Sequence, residues 1–313
     1  GKQWYFARNN IGNKASNYFQ QENRWSVDGS VSPGPKRTWG NQKFMTSLMG
    51  SAYSLKLDKI DRSALRVMIG LRKYICSQFK PNVAKALYDL FKAKNIMDFS
   101  MGWGDRLAGF FASQNTELYV GVDPRKENHP IYREQADYYE GQLTMFETMK
   151  KVDFYCEAAE DFYYDGYEDT FDIIFTSPPY FNVERYSHDD NQSWVRYKDI
   201  DNWNSQFLHK ALDNMLPTLR SGGKLCINIS DVYSPSAGKK AWSKICDPMN
   251  DFIQSYGGME YKGCIGMEMA KRPNSGGAGT AKDTKQYTEE SLQLAKETKN
   301  KRFCEPIWVR EKK

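Results

Sequence analysis

Short apolar runs alternate with longer amphipathic segments from residue 62 onward. Continuous apolar runs bounded by polar residues predict buried strands, and apolar residues spaced three or four apart predict helices. Strands are predicted at 96–99, 118–122, 152–156, 171–175, 224–230 and 305–310. Helices are predicted near 62–75, 82–94, 105–114, 131–149, 203–219 and 239–255, with a short polar helix at 288–300. This alternation indicates an α/β fold with a doubly wound, mostly parallel sheet.

The two flanks of this pattern are polar and basic. Residues 1–60 carry a net charge of +6 and residues 262–302 a net charge of +4, whereas the whole chain carries +5. The remaining residues are therefore net negative. A polyanionic partner that touches the flanks fits this distribution, and so does an ordinary solvated basic surface. Aromatic residues make up 14% of the chain, which suits base stacking as well as core packing.

The cysteine and histidine content argues against a metal site. Six cysteines form no C-x-x-C pair, and the three histidines are far apart in the sequence. We therefore expect no metal, no disulfide framework and a reducing, cytoplasmic location. No apolar stretch approaches the roughly 20 residues of a membrane span, so we expect no membrane contact.

Two strand ends carry residues that suit a nucleoside cofactor. Asp98 ends the first predicted strand, and Gly102 and Gly104 follow it in a turn that opens a helix. Glycines at such a junction let a ligand approach the backbone closely. Asp123 ends the next strand 25 residues later, where an acid can hold both ribose hydroxyls. A dinucleotide site would want a third glycine at Leu107, so the pattern favours an adenosyl cofactor without a pyrophosphate.

A rigid loop ends the fourth predicted strand. Its residues Ser177, Pro178, Pro179 and Tyr180 cannot continue a central strand, because proline lacks the N–H and fixes φ. The loop therefore presents a hydroxyl, carbonyl groups and an aromatic ring at the strand end where α/β sheets bind ligands.

These motifs, in this order, resemble the S-adenosylmethionine-dependent amino-methyltransferases of DNA that carry a Ser-Pro-Pro-Tyr motif. The wider sequence over roughly residues 75–232 resembles the DNA methylases encoded by bacteriophages. The resemblance implies a Rossmann-like methyltransferase fold, with S-adenosylmethionine as cofactor and DNA as partner. It also implies a bacterial or phage-infected host cell, and it leaves the oligomeric state and any restriction partner open.

The resemblance assigns roles to individual residues. The catalytic loop is Ser177, Pro178, Pro179 and Tyr180, and Phe181 would line the substrate pocket. The residues implied in cofactor binding are Phe79, Lys80, Asp98, Phe99, Ser100, Gly102, Gly104, Asp123, Pro124, Glu157 and Ala158. Within this set, Phe79 and Lys80 would meet the methionine carboxylate, and Glu157 and Ala158 would meet the adenine.

The target of methylation stays open between several alternatives. Serine at position 177 is more usual among enzymes that methylate cytosine N4, and adenine N6 is the second possibility. No cysteine follows a proline, which argues against methylation at carbon 5 of cytosine. An RNA base methyltransferase of the same fold, a non-catalytic nucleic-acid-binding subunit and a small-molecule methyltransferase are the other readings.

We predict four regions along the chain. Residues 1–60 form a basic and aromatic extension, of which 1–45 are an irregular arm, and 61–261 form the catalytic core. Residues 262–302 form a target-recognition insertion, in which Lys271 and Arg272 contact DNA, and 303–313 supply the final core strand and tail.

Overall fold

A computed structural model of the protein describes residues 4–29, 32–144, 149–234, 241–269 and 304–313. The polar helix predicted at 288–300, Lys271 and Arg272 lie outside these described residues. Among the described residues, no helix has the length and apolar character needed to cross a membrane.

Strands of the described residues form one large sheet and two small ribbons. In chain order they are β1 (Tyr5–Phe6), β2 (Asp28–Gly29), β3 (Asn95–Asp98), β4 (Leu118–Val122), β5 (Lys151–Tyr155), β6 (Phe171–Thr176), β7 (Glu184–Arg185), β8 (Leu219–Asn228), β9 (Val232–Ser234), β10 (Ala241–Ser243), β11 (Met259–Glu268) and β12 (Cys304–Lys312).

The large sheet has the strand order β1-β11-β12-β8-β6-β3-β4-β5. Strands β5, β4, β3, β6 and β8 are parallel to one another, whereas β12 runs antiparallel between β8 and β11. The chain proceeds from β3 to β4 and β5 on one side and then returns to β6 on the other. This reversal confirms the doubly wound, Rossmann-like sheet and creates a crevice at the carboxyl ends of β3 and β6.

Helices cover both faces of this sheet. They are α1 (Lys14–Phe19), α2 (Gln21–Trp25), α3 (Pro35–Trp39), α4 (Gln42–Ser54), α5 (Arg62–Arg72), α6 (Pro81–Leu90), α7 (Asp105–Ala112), α8 (His129–Glu140), α9 (Ser193–Arg196), α10 (Ile200–Asn202), α11 (Lys210–Met215) and α12 (Cys246–Tyr256). A π-helical segment, Trp203–His209, joins α10 to α11.

Strand side chains alternate between two cores, one on each face of the sheet. Met97, Val120 and Ile174 pack against the π-helical segment, α11 and α12. Their neighbours Ile96 and Ile173 pack against α6, α7 and α8. Because both faces are covered, the central strands β4 (LYVGV) and β6 (FDIIFT) are apolar at most positions.

Two regions differ from the predictions made on the sequence. The described part of residues 1–45 is not irregular, since α1, α2 and α3 lie within it and α4 begins at Gln42. The predicted boundary at residues 261 and 262 falls inside β11, which pairs with β12 in the main sheet. Residues 262–268 are therefore part of the core sheet, and a recognition role for the rest of 262–302 stays a prediction.

Candidate active site

The crevice is built where the carboxyl ends of β3 and β6 lie side by side. Asp98 ends β3 and Thr176 ends β6, and the Thr176 hydroxyl donates a 3.0 Å hydrogen bond to Asp98 Oδ1. This bond ties the glycine turn after β3 to the Ser-Pro-Pro-Tyr loop after β6. The two sequence motifs, 78 residues apart, therefore meet at one edge of the sheet.

Asp98 lies beneath the crevice and has no exposed surface. Its carboxylate accepts hydrogen bonds from Arg106 Nε at 2.7 Å and Tyr119 OH at 2.6 Å, besides that of Thr176. The backbone N–H of Ser100 donates to it as well, at 3.2 Å. The carboxylate thus holds the turn and the start of α7 in place.

The two predicted glycines have the conformation that such a turn requires. Gly102 has a φ of 60° and Gly104 a φ of 76°, values that side chains disfavour. A Cβ on Gly104 would lie 2.2 Å from Gln135 Oε1, so a larger residue there would have to displace the Gln135 side chain of α8. Around Gly102, by contrast, the nearest described atom would be Ser100 O at 3.9 Å, which leaves room for a ligand.

A cavity that is open at its mouth occupies the crevice. The residues that line it and were predicted from the sequence are Phe99, Ser100, Gly102, Asp123, Pro124, Ser177 and Pro179. Ala159 and Glu160, which directly follow the residues Glu157 and Ala158 implied in adenine binding, line it as well. The lining residues that the sequence did not reveal are Trp103, Arg125, Asn128, Tyr186, Asn191, Gln192, Ser193 and Phe207.

Asp123 is held at the end of β4 by backbone donors. Gly102 N donates to its Oδ2 at 3.0 Å, and Arg125 N donates to its Oδ1 at 2.9 Å. Burial raises the pKa of Asp123, and these two N–H groups oppose that effect by favouring the charged form. Within the described residues Asp123 makes no ion pair, so its remaining lone pairs can accept hydrogen bonds from a ligand.

Glu160 is a second buried carboxyl group on the cavity wall. It accepts hydrogen bonds from Arg196 Nη1 at 3.0 Å and from Tyr197 OH at 3.1 Å. Burial raises its pKa, against the neighbouring charge of Arg196. Arg196 and Tyr197, from a segment far along in the sequence, therefore hold Glu160 in this wall.

The Ser-Pro-Pro-Tyr loop is fixed from below by Asn228, at the end of β8. Asn228 Nδ2 donates to Pro306 O at 3.0 Å, which leaves Oδ1 as an acceptor toward the loop. Ser177 Oγ donates to that oxygen at 3.2 Å, and Tyr180 OH lies 3.4 Å from it and from Glu305 Oε2. With its proton engaged, the Ser177 hydroxyl keeps its lone pairs for another donor.

Several predicted site residues lie outside the cavity wall. Lys80 Nζ donates to Glu268 O at 2.7 Å, and the Phe79 ring packs on Phe175. Glu157 is exposed at the surface, whereas Ala158 is buried. Their predicted contacts with the cofactor stay predictions. Gly104 and Asp98 support the turn rather than line the cavity.

Phe181 is placed differently from its predicted position in the substrate pocket. It is 7% exposed and packs in the core, with its ring 6.1 Å from that of Trp203. Its φ of 51° is unusual for an aromatic residue, so the backbone is strained directly after the loop.

The Ser-Pro-Pro-Tyr loop and the strands that follow it lie in a segment that is similar to a known protein family. Residues 171–312 match the DNA methylase family, of the N6 and N4 methyltransferase type. The chain resembles the amino-methyltransferases of DNA. This match confirms the resemblance inferred from the sequence and supports S-adenosylmethionine as the cofactor. A search of curated proteins found no significant match.

Solved structures of methyltransferases are similar to the chain at low sequence identity. An S-adenosylmethionine-dependent O-methyltransferase from Thermotoga maritima is 11% identical, with 79% of this chain and 69% of that chain covered and a TM-score of 0.39. The N-methyltransferase NodS from Bradyrhizobium japonicum WM9 is 7% identical, with 74% and 96% covered and a TM-score of 0.39. Scores this low decide nothing about function, and the fold rests on the strand order described above.

Proposed function

We propose that this protein transfers a methyl group from S-adenosylmethionine to the exocyclic amine of a DNA base that is flipped out of the duplex, with cytosine N4 as the proposed target and adenine N6 as the alternative. One observation carries the proposal. Ser177 and Pro179 of the Ser-Pro-Pro-Tyr loop line the same cavity as Gly102 and Asp123 of the cofactor motifs. A methyl donor and an acceptor amine held there would lie within one enclosed space, which favours direct transfer.

The cavity residues fit an adenosyl cofactor. Asp123 is a buried acceptor without an ion pair among the described residues, suited to the two ribose hydroxyls. Asn128 Oδ1 and Arg125 Nη1 are buried and have no hydrogen-bond partner within the described residues. A polar ligand would satisfy such groups, which are costly to leave unpaired. When bound, S-adenosylmethionine supplies an electrophilic methyl group on a sulfonium sulfur.

The loop residues supply what an exocyclic amine lacks as a nucleophile. The nitrogen lone pair of such an amine is delocalised into the base ring. Ser177 Oγ and the Pro178 carbonyl would accept hydrogen bonds from its two N–H groups and draw the nitrogen toward tetrahedral geometry. The freed lone pair would form the new bond to the methyl carbon while the carbon–sulfur bond breaks and a neutral thioether leaves, and the amine would release one proton to solvent. Positioning and electrostatics thus account for catalysis without a covalent enzyme intermediate.

Tyr180 would hold the base by stacking. Burial, together with the nearby Glu305 carboxylate, raises the pKa of Tyr180 well above its usual value, so the hydroxyl stays protonated. Its two hydrogen bonds at 3.4 Å are long and therefore weak anchors. The ring face is then the larger contribution to base binding.

Nucleoside mass spectrometry of DNA treated with the protein and deuterium-labelled S-adenosylmethionine tests the proposal. We expect labelled N4-methylcytosine with the wild type and no label with Tyr180→Ala. Labelled N6-methyladenine would support methyl transfer to an exocyclic amine and identify adenine, not cytosine, as the target base. Label in RNA alone would refute the DNA substrate. Cofactor binding without any transfer would indicate a non-catalytic nucleic-acid-binding subunit.

A further inference from the structure

A second cavity lies on the other side of the segment that follows the Ser-Pro-Pro-Tyr loop. It is lined by Asp28, Gly29, Ser32, Pro33, Arg37, Phe44, Arg185 and His188. Most of these residues come from the N-terminal 60 residues, outside the segment that matches the methylase family. The cavity is therefore a feature that the family match does not explain.

The segment of residues 184–193 forms a shared wall between the two cavities. Arg185 and His188 face the second cavity, whereas Tyr186 and Asn191 face the first. The short antiparallel pair of β2 and β7 joins this segment to the N-terminal region, with Asp28 opposite Arg185. A strand of nucleic acid that leaves the first cavity therefore has the second cavity as its neighbour.

The second cavity is positively charged. Its one acidic residue, Asp28, already accepts hydrogen bonds from Gly34 N at 2.7 Å and Arg37 Nη1 at 3.2 Å. Arg185 Nε is buried and has no hydrogen-bond partner within the described residues. The Arg185 guanidinium lies 5.1 Å from the ring centroid of Trp194, which holds it in place and leaves its donors available.

Lys73 adds a further positive charge beside the cavity. The residue is 9% exposed, and its ammonium lies 5.6 Å from the centroid of Phe44, a ring that lines the cavity. Among the described residues Lys73 has no carboxylate partner. Burial accordingly lowers its pKa with no opposing charge to offset the effect. An anion in the cavity would supply that charge.

We propose that the second cavity binds a backbone phosphate of the DNA strand whose target base enters the first cavity. Arg185 and Arg37, which line the cavity, are the donors, and the Lys73 ammonium beside the Phe44 ring adds its positive charge. The inference rests on the proposed function, because it takes a nucleic acid as the substrate. Phosphate is the anion that fits, since a guanidinium and an ammonium around one site are its usual partners.

Four single variants test this inference. Arg185→Gln and Lys73→Gln remove one charge each from the second cavity. Arg220→Gln and Lys151→Gln are matched controls, because these exposed residues start β8 and β5 at the edge of the sheet opposite the crevice. Binding of a fluorescent mixed-sequence duplex is measured by anisotropy across a salt series. Binding of an RNA with the same sequence is measured in the same way. Calorimetry measures the affinity of each variant for S-adenosylmethionine.

We expect each cavity variant to lower the salt slope of binding by about 0.9, which is the contribution of one phosphate contact on B-DNA. A variant that binds DNA as tightly as the wild type at 1 M salt should therefore bind it about 8-fold more weakly than the wild type at 0.1 M salt. KM for DNA should rise by the same factor at 0.1 M salt. An unchanged affinity for S-adenosylmethionine would show that the variants are folded. The two controls should match the wild type.

The possible outcomes separate the inference from the proposed function. If the wild type methylates DNA and both cavity variants keep its affinity and salt slope, the phosphate site is refuted and the methyltransferase stands. If the variants lose affinity only for RNA, the site binds a different nucleic acid and the DNA-phosphate site is refuted, whereas methyl transfer to DNA by the wild type still decides the proposed function. If the wild type transfers no methyl group to any nucleic acid, both are refuted. Should Lys73→Gln fail to fold, Arg185→Gln decides alone.

Discussion

Replacing Asp98 by asparagine should destabilise the fold far more than it weakens cofactor contacts. Asp98 and Arg106 form an ion pair with Nε and Oδ2 2.7 Å apart, and their side chains are 0% and 3% exposed. Removal of one partner from such a pair typically costs about 3–5 kcal/mol, because the other charge stays buried and unpaired. Asparagine can still accept from Thr176, so that the loss is concentrated at Arg106.

Urea denaturation of a short variant series tests this magnitude. Tyr119→Phe removes one hydrogen bond to the charged Asp98 carboxylate and should cost about 1.5–3 kcal/mol, less than Asp98→Asn. Glu117→Gln serves as the control, since its ion pair with Lys94 is exposed and should contribute little. Calorimetry with S-adenosylmethionine, under conditions where each variant is folded, should show affinity close to that of the wild type.

The reverse pattern would refute this reasoning. If Asp98→Asn unfolds at the wild-type urea concentration and no longer binds the cofactor, the carboxylate contacts the ligand directly. The role implied by the sequence resemblance would then replace the one that the hydrogen bonds support.

Three further predictions concern the crevice and its support. Asp123→Ala should weaken S-adenosylmethionine binding by about 1–3 kcal/mol through loss of a charged acceptor, and unchanged affinity in calorimetry would contradict this. Tyr180→Ala should abolish most methyl transfer and Tyr180→Phe should retain most of it, whereas equal inactivity in a radiolabel assay would assign the role to the hydroxyl. Burial raises the pKa of Asp105 to about 7, so the folded protein binds a proton that the unfolded chain releases near pH 4. Stability to urea should therefore fall by about 2–3 kcal/mol from pH 5 to pH 8, and Asp105→Asn should remove that dependence.

The parallel strands could be predicted closely because each is a buried apolar run. The predicted strands at 118–122 and 171–175 correspond to Leu118–Val122 and Phe171–Thr176 in the structure. Met259–Glu268 was missed, because this strand near the sheet edge contains glycine and charged residues and lacks a continuous apolar run. Burial on both faces, rather than intrinsic propensity, made the other strands recognisable.

The candidate site was predictable where local motifs build it. The glycine turn, Asp123 and the Ser-Pro-Pro-Tyr loop lie at strand ends, and a strand end is visible in the sequence. Asn128 and residues 186–193 reach the cavity through tertiary packing. No spacing rule in the sequence brings them there, and their polar character alone does not distinguish them from surface residues.

The N-terminal region shows most clearly what tertiary contacts add. Arg125, which lines the first cavity, donates through Nη2 to Asn23 O at 3.3 Å and to Ser26 Oγ at 2.9 Å. Asn23 in turn donates to Glu127 O at 3.1 Å. A few residues further on, Asp28 and Gly29 line the second cavity. The same stretch of chain therefore supports the wall of one cavity and forms part of the other. We infer that residues 23–29 are an integral part of the active-site architecture. Their displacement would remove hydrogen-bond partners of Arg125 and would also disrupt the wall of the proposed phosphate site.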